Sequence, residues 1–350
     1  MGSPLHLVGF GEAMVRLCPP GFGRLEMATA LEMQPGGAEL NTAVGLARLG
    51  AEAGLGAAWV SRLPRNALGR YLAAKGREHG VVTDHIVWDD DPDARCGTYF
   101  LEEGAAPRAS AVLYDRANSA CARLRPEEIA WPSVLREVRF FLVTGITPAL
   151  SASCLEATRQ AMRAARDAGA WVVFDPNFRS KLWTPQQARE VYLELAPLVD
   201  ILSCPAEGLR FFYGIEGDDP APAALERFDL QAVLMTTRTE LGMWRNRVGA
   251  TVVARGPGGT TETYQDRERE VEIVDRLGAG DAFLAGFLYG LLTLPDGGAA
   301  PAGSAPDWAR ATAYGGACAA LKHSIRGDFP ILTAAEVRQE IEAPALRIQR

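Results

Sequence analysis

Histidine is scarce in this 350-residue chain: the four present (His6, His79, His85 and His323) are not spaced to share a helix face around a metal, and no HExxH pair occurs. The six cysteines (Cys18, Cys96, Cys121, Cys154, Cys204 and Cys318) stand singly, without the CxxC pairing of zinc sites or redox disulfides, and read as free thiols of a reducing compartment. A GxxxxGK[ST] loop and a GxSxG elbow are also missing, and Gly9-Phe10-Gly11 lacks the third glycine of a dinucleotide fingerprint. Positive charge is not in excess. Lys plus Arg total 36 against 43 Asp plus Glu, a net charge of -7, so nothing in the overall field gathers nucleic acid or anionic membrane, and any phosphate must be held locally. The longest near-apolar stretch, Phe283 to Leu294, is far short of the roughly 20 residues of a membrane span. Leu5 to Phe10 has no basic lead and runs into Glu12, unlike a signal peptide, and Gly2 is followed by His6 where a myristoylation motif requires Ser or Thr. The expectation is a soluble, cytoplasmic protein.

What is present is an ordinary globular composition, 48% hydrophobic and 23% charged, long enough for one large domain or two unequal ones. Short apolar runs alternate with amphipathic stretches: His6 to Phe10 then Asn41 to Leu49, Val138 to Thr144 then Cys154 to Ala168, Trp171 to Asp175 then Gln186 to Leu195. This order predicts an α/β fold, a doubly wound and mostly parallel sheet with helices on both faces. Two segments break the rhythm with alternating, turn-rich character, and are expected to pair as a small β-sheet lid spanning residues 12–34 and 95–117. The main domain then comprises 1–11, 35–94 and 118–342. Residues 343–350 form a charged tail, and the Pro/Gly/Ala-rich stretch Pro295 to Pro306 forms a surface connection.

The strongest local pattern runs Asp275-Arg276-Leu277-Gly278-Ala279-Gly280-Asp281, between a strand-like Val271 to Val274 and an apolar helix ending near Leu294. Glycines at such a turn let backbone approach an anion, and the helix supplies free N–H groups and the positive end of its dipole. Asp281 in the first turn is either a helix cap or a general base toward a hydroxyl. Near the start, Gly36-Gly37-Ala38-Glu39-Leu40-Asn41 is either a turn and cap or a set of backbone and amide contacts to a polyol. Asp175-Pro176-Asn177-Phe178-Arg179 follows a strand, where ligands of open parallel sheets gather; Arg179 is a surface charge or an anion contact.

Taken together and in this order, Gly36-Gly37-Ala-Glu-Leu-Asn41 and Gly278-Ala-Gly-Asp281 resemble the two motif regions of the ribokinase-like (PfkB) carbohydrate kinases. Within that family the chain is most similar to the 2-keto-3-deoxygluconate kinases, on Tyr114-Asp115-Arg116-Ala117-Asn118-Ser119-Ala120, Gly145 to Leu150, Asp175 to Trp183 and Lys322 to Phe329. The resemblance implies a ribokinase-like domain with a β lid, and a sugar held between them. ATP would be the donor, with Mg2+ on its phosphates. By matching position Gly36, Gly37 and Asn41 contact the sugar, Tyr99, Tyr114 and Arg116 reach it from the lid, Arg179 sits near both substrates, and Asp281 is the base, assisted by the N–H groups of Gly278, Ala279 and Gly280. The expected reaction is phosphoryl transfer to the primary hydroxyl of 2-keto-3-deoxygluconate. Arg116 is the candidate partner for the substrate carboxylate; the alternative is a surface pair with Asp115.

Two departures from the family pattern bear on the donor site. The Asn-x-x-Glu element that supports the metal's water shell reads Cys204-Pro205-Ala206-Glu207, leaving Glu207 as the metal-side residue. The Thr-x-Gly loop reads Thr237-Arg238-Thr239, with Thr236, Thr237, Arg238 and Gly242 still expected beside the nucleotide together with Cys204, Gly278 and Gly280. The competing functions are fructokinase, 5-keto-2-deoxygluconate kinase, a ribokinase-like enzyme, and a sensor that binds a sugar acid without turnover. Phe22, Leu25, Met27, Leu31 and Met33 supply apolar material for a homo-oligomer contact through the lid.

Overall fold

The computed structural model describes residues 4–342, so the tail assigned to 343–350 lies outside the described residues. A ten-stranded sheet runs in the order Thr261–Gln265, Arg245–Arg255, Ala232–Gly242, Ile201–Ser203, Trp171–Asp175, Phe140–Thr144, Leu5–Phe10, Gly56–Val60, Val81–Val82, with Arg269–Glu272 also paired to Arg245–Arg255. From Ala232–Gly242 across to Val81–Val82 every pairing is parallel. These strands are apolar runs, as strands buried on both faces must be. One core lies under the helices Ala38–Leu49, Ala279–Leu292 and Trp308–Lys322; a second, on the opposite face, lies under Ala152–Asp167, Pro185–Leu195, Ala206–Tyr213 and Pro220–Arg227. This is the doubly wound arrangement expected. Among the described residues no helix is long and apolar enough to cross a membrane.

The chain leaves Leu5–Phe10 toward Gly56–Val60 on one side and returns to Phe140–Thr144 on the other, so the sheet reverses direction there and opens a crevice at the strands' carboxyl ends. Helix Ala38–Leu49 can press against that point because Gly9 and Gly11 carry no side chain. A Cβ on Gly11 would lie 2.3 Å from the Glu39 carboxylate. Glu39 is buried and accepts from the Thr144 N–H at 2.9 Å and the Thr144 and Thr147 hydroxyls at 2.8 and 3.2 Å, which ties the helix to the end of the strand Phe140–Thr144.

A separate four-stranded sheet has the order Glu32–Gly36, Met14–Cys18, Thr98–Glu102, Ala111–Asp115, drawn from the two segments that interrupt the α/β rhythm. One strand differs from expectation. The strand expected over Val271 to Val274 runs instead over Arg269–Glu272, antiparallel to Arg245–Val248 on the edge of the large sheet. Its alternation of buried Arg269 and Val271 with exposed Glu270 and Glu272 suits an edge, and Val274 is exposed.

Candidate active site

The strand Glu32–Gly36 of the small sheet runs directly into helix Ala38–Leu49, and the paired glycines mark close approaches rather than a simple turn. A Cβ on Gly36 would come within 2.4 Å of the Tyr99 hydroxyl and 2.6 Å of an Asp328 oxygen; one on Gly37 would meet the Glu12 carbonyl at 2.5 Å. Asn41, one turn into the helix, donates through Nδ2 to Asp281 Oδ2 at 2.6 Å and accepts from the Gly37 N–H at 3.3 Å. The two sequence motifs, 240 residues apart, are therefore joined by one hydrogen bond.

Gly278 has φ +78 as the residue preceding helix Ala279–Leu292, and a Cβ there would lie 2.0 Å from the Asp328 carbonyl oxygen, so both backbone strain and contact demand glycine. Gly280, by contrast, faces open space. Asp281 sits in the first helical turn beside the N–H groups that have no partner within the helix. Burial, reinforced by Asp175, Asp328 and Glu39, pushes its carboxyl up to about 7 despite the hydrogen bond from Asn41. Burial also raises Asp175, to about 6, against the opposing hydrogen bond from the Asn177 N–H. A carboxylate poised near neutrality at a helix mouth suits proton abstraction.

A cavity of about 280 Å3 gathers Gly36, Gly37, Asn41, Tyr99, Tyr114, Arg116, Arg179, Gly278, Ala279, Gly280 and Asp281. Every residue assigned to the sugar or to the chemistry borders it. Arg116 is not paired with Asp115, which binds Arg95. Arg116 and Ser119 instead both donate to the buried Glu12 carboxylate, while Arg116 Nε is buried with no partner among the described residues. Arg179 is exposed, donates to the Asn177 and Phe178 carbonyls, and borders this cavity and an outer groove beside Tyr114 and Lys181. It does not border the second cavity.

That second cavity, of about 450 Å3, lies on the far side of the glycine turn and is lined by Glu207, Thr236, Thr237 and Arg238 together with Phe283, Ala319 and His323. Cys204, Gly242 and Gly278, also expected here, are not among its walls, and Gly280 is. The Cys204 thiol is buried against the Pro205 carbonyl, and Gly242 lies at the hairpin tip, where a Cβ would meet nothing. The antiparallel hairpin explains Gly242: the strand Ala232–Gly242 outruns the cavity. Among the described residues no three His, Cys, Asp or Glu side chains converge as a metal-holding set.

The sequence reading gave no role to a buried network between the two sheets. Arg16, 0% exposed on the strand Met14–Cys18, places Nη1 2.7 Å from both Asp275 and Asp328. Asp275 in turn accepts from the Leu277 and Gly327 N–H groups at 3.0 and 2.9 Å, fixing the entry to the glycine turn. Tyr99 donates to Asp328 at 2.7 Å, and burial with that carboxylate's charge pushes the phenol well above its ordinary value, so Tyr99 meets a ligand as an acceptor. The available signal was an arginine inside the otherwise apolar run Met14-Val15-Arg16-Leu17-Cys18.

The family model for pfkB family carbohydrate kinases matches residues 5–330. The chain belongs to the PfkB carbohydrate kinases. It is 38% identical over 99% of its length to a 2-dehydro-3-deoxygalactonokinase of Haloferax volcanii, covering 99% of that protein. It is 32% identical over 82% of its length to a 2-dehydro-3-deoxygluconokinase of Bacillus subtilis, covering 83% of it. The crystal structure of a 2-dehydro-3-deoxygluconokinase from Thermotoga maritima superimposes with a TM-score of 0.87 at 32% identity, covering 98% of this chain and 99% of that one. Membership makes this PfkB protein a phosphotransferase acting on a carbohydrate, with the ribokinase-like fold, and its two cavities meet at one glycine turn.

Proposed function

We propose that this PfkB kinase transfers the γ-phosphoryl group of ATP to the primary hydroxyl of a 2-keto-3-deoxyhexonic acid: 2-keto-3-deoxygluconate or its galactonate epimer. The observation that carries the reading is the acceptor cavity itself, with a base near neutrality on one wall and, on another, the Arg116 guanidinium, which also holds the Glu12 carboxylate. A carboxylate in a largely dehydrated site needs such a partner, and a guanidinium edge binds it through two bonds. The names of the relatives support the same substrate class.

In this scheme Asp281 takes the hydroxyl proton as that oxygen attacks phosphorus. The N–H groups of Gly278 to Asp281 and the helix dipole face the charge on the transferring group. Thr236, Thr237 and Arg238 border the donor. The donor set fits an ion carried by the nucleotide rather than a protein-held one, since Glu207 is the one carboxylate on the donor cavity's wall. Mg2+ would supply charge neutralisation on the phosphates, with Glu207 toward its water shell.

A coupled ADP-release assay over a panel of sugar acids and neutral sugars tests the substrate class. The keto-deoxy acids should exceed fructose in kcat/KM by about 100-fold, the effect of one charge-assisted contact pair. Arg116→Ala should raise KM for the acids roughly 10- to 100-fold and for neutral sugars little; equal shifts for both would reject the carboxylate contact. We further propose a cytoplasmic enzyme, its six cysteines being free and buried, and a homo-oligomer formed through the small sheet, where Phe22, Met27, Leu31 and Met33 are exposed. Light scattering after size-exclusion chromatography should give a dimer or larger, and Met27→Asp a monomer; a wild-type monomer at micromolar concentration contradicts this.

A further inference from the structure

The two cavities share three residues, Arg276, Ala279 and Gly280. Arg276 is thus the one permanently charged side chain among the described residues that borders both: Arg116 and Arg179 border only the acceptor side, Arg238 only the donor side. Its guanidinium lies at the rim, donating to the Met243 carbonyl at the hairpin turn and 3.8 Å from the exposed Glu240. At 38% side-chain exposure it leaves no buried charge behind when it moves. Ala279 and Gly280, its companions at the junction, have no side chain long enough to screen it from a ligand.

A phosphoryl group passing from one cavity to the other crosses this junction carrying negative charge on its non-bridging oxygens. The backbone N–H groups of the turn face it from one side, and a planar guanidinium can meet two of those oxygens from another. We propose that Arg276 is a further catalytic residue: with both substrates bound, its guanidinium leaves the Met243 carbonyl and Glu240 and binds the transferring phosphoryl group. The proposal rests on the phosphotransfer reading. The bond from the γ-phosphorus to the bridging oxygen breaks, the bond from the sugar oxygen to phosphorus forms, the hydroxyl proton passes to Asp281, and ADP departs. Arg276 stays protonated throughout.

The test is steady-state kinetics of the full chain carrying Arg276→Ala or Arg276→Lys, with melting temperatures and with millimolar guanidinium added. Arg276→Ala should lower kcat about 100- to 1000-fold, leave sugar KM within about twofold and leave Tm unchanged, as expected for loss of one transition-state contact. Guanidinium should restore kcat at least roughly tenfold, and Arg276→Lys should be intermediate. A kcat within about threefold of wild type, or a higher ATP KM with kcat kept and no guanidinium rescue, would overturn the role. If Arg276→Ala is active alongside an active wild type, only the arginine assignment fails; if the wild type turns over no sugar or sugar acid with ATP, the phosphotransfer reading fails with it.

Discussion

Replacing Asp281 with Asn should reduce kcat about 1000-fold, the usual contribution of a positioned base, while leaving sugar and ATP binding within a few fold. Asn keeps the shape and can still accept from Asn41 Nδ2, now 2.6 Å from Oδ2, so the loss isolates proton transfer. In the wild type, kcat/KM should rise with pH through about 7 as Asp281 ionises in the empty site. The stability effect has the opposite sign. A carboxyl whose folded pKa lies above its unfolded value favours folding below the unfolded pKa, and that advantage is lost as pH rises toward about 7. Asp281→Asn should therefore melt higher than wild type at pH 8 and show little difference at pH 4. Near-normal turnover, or a variant that is less stable at pH 8 than at pH 5 relative to wild type, would reject the assignment.

Arg16→Met should cost about 3–5 kcal/mol of stability, because it strands two buried carboxylates rather than removing a balanced pair. Asp275 and Asp328 each lose a partner at 2.7 Å, inside a cluster where burial already holds Asp328 above its ordinary value. Without the guanidinium Asp328 rises further, so the penalty should be larger at pH 8 than at pH 5, where protonation relieves it. Denaturant titration at both values measures the difference. Adding Asp275→Asn and Asp328→Asn to Arg16→Met should recover much of the loss. Since Asp275 also holds the Leu277 and Gly327 N–H groups, kcat should fall in Arg16→Met even where the protein remains folded. A pH-independent loss below about 1 kcal/mol would show that the network carries little.

The network also ties the small sheet to the large domain. Arg16 and Tyr99 lie on its two central strands, and both are bound to carboxylates of the large domain. Opening the sheet as one rigid body would expose or separate buried charges. The outer strand Ala111–Asp115 is the least buried part of the sheet's pairing, its residues alternating between exposed and half-buried.

What was legible in the sequence was the local, periodic part. Apolar runs fixed the parallel strands, and Gly36-Gly37 and Gly278-Ala-Gly-Asp281 stood out because glycines beside a helix start, with an aspartate in the first turn, form a local pattern, although the contacts that demand glycine at 36, 37 and 278 come from residues distant in the chain. The edge strand was misplaced at Val271 to Val274 because an apolar dipeptide does not reveal which partner strand it meets. That Arg276 borders both cavities was not legible, since spacing along the chain says nothing about which cavity a side chain borders. The exchange of Asp115 for Glu12 as the partner of Arg116, and the grouping of Arg16, Asp275 and Asp328, join residues 104 and 312 positions apart. By itself the sequence determined the fold class and the chemistry that each motif is able to perform. Only the tertiary structure decided which charges neutralise one another and which are left free for a ligand, because Coulomb interactions and burial depend on distance in space.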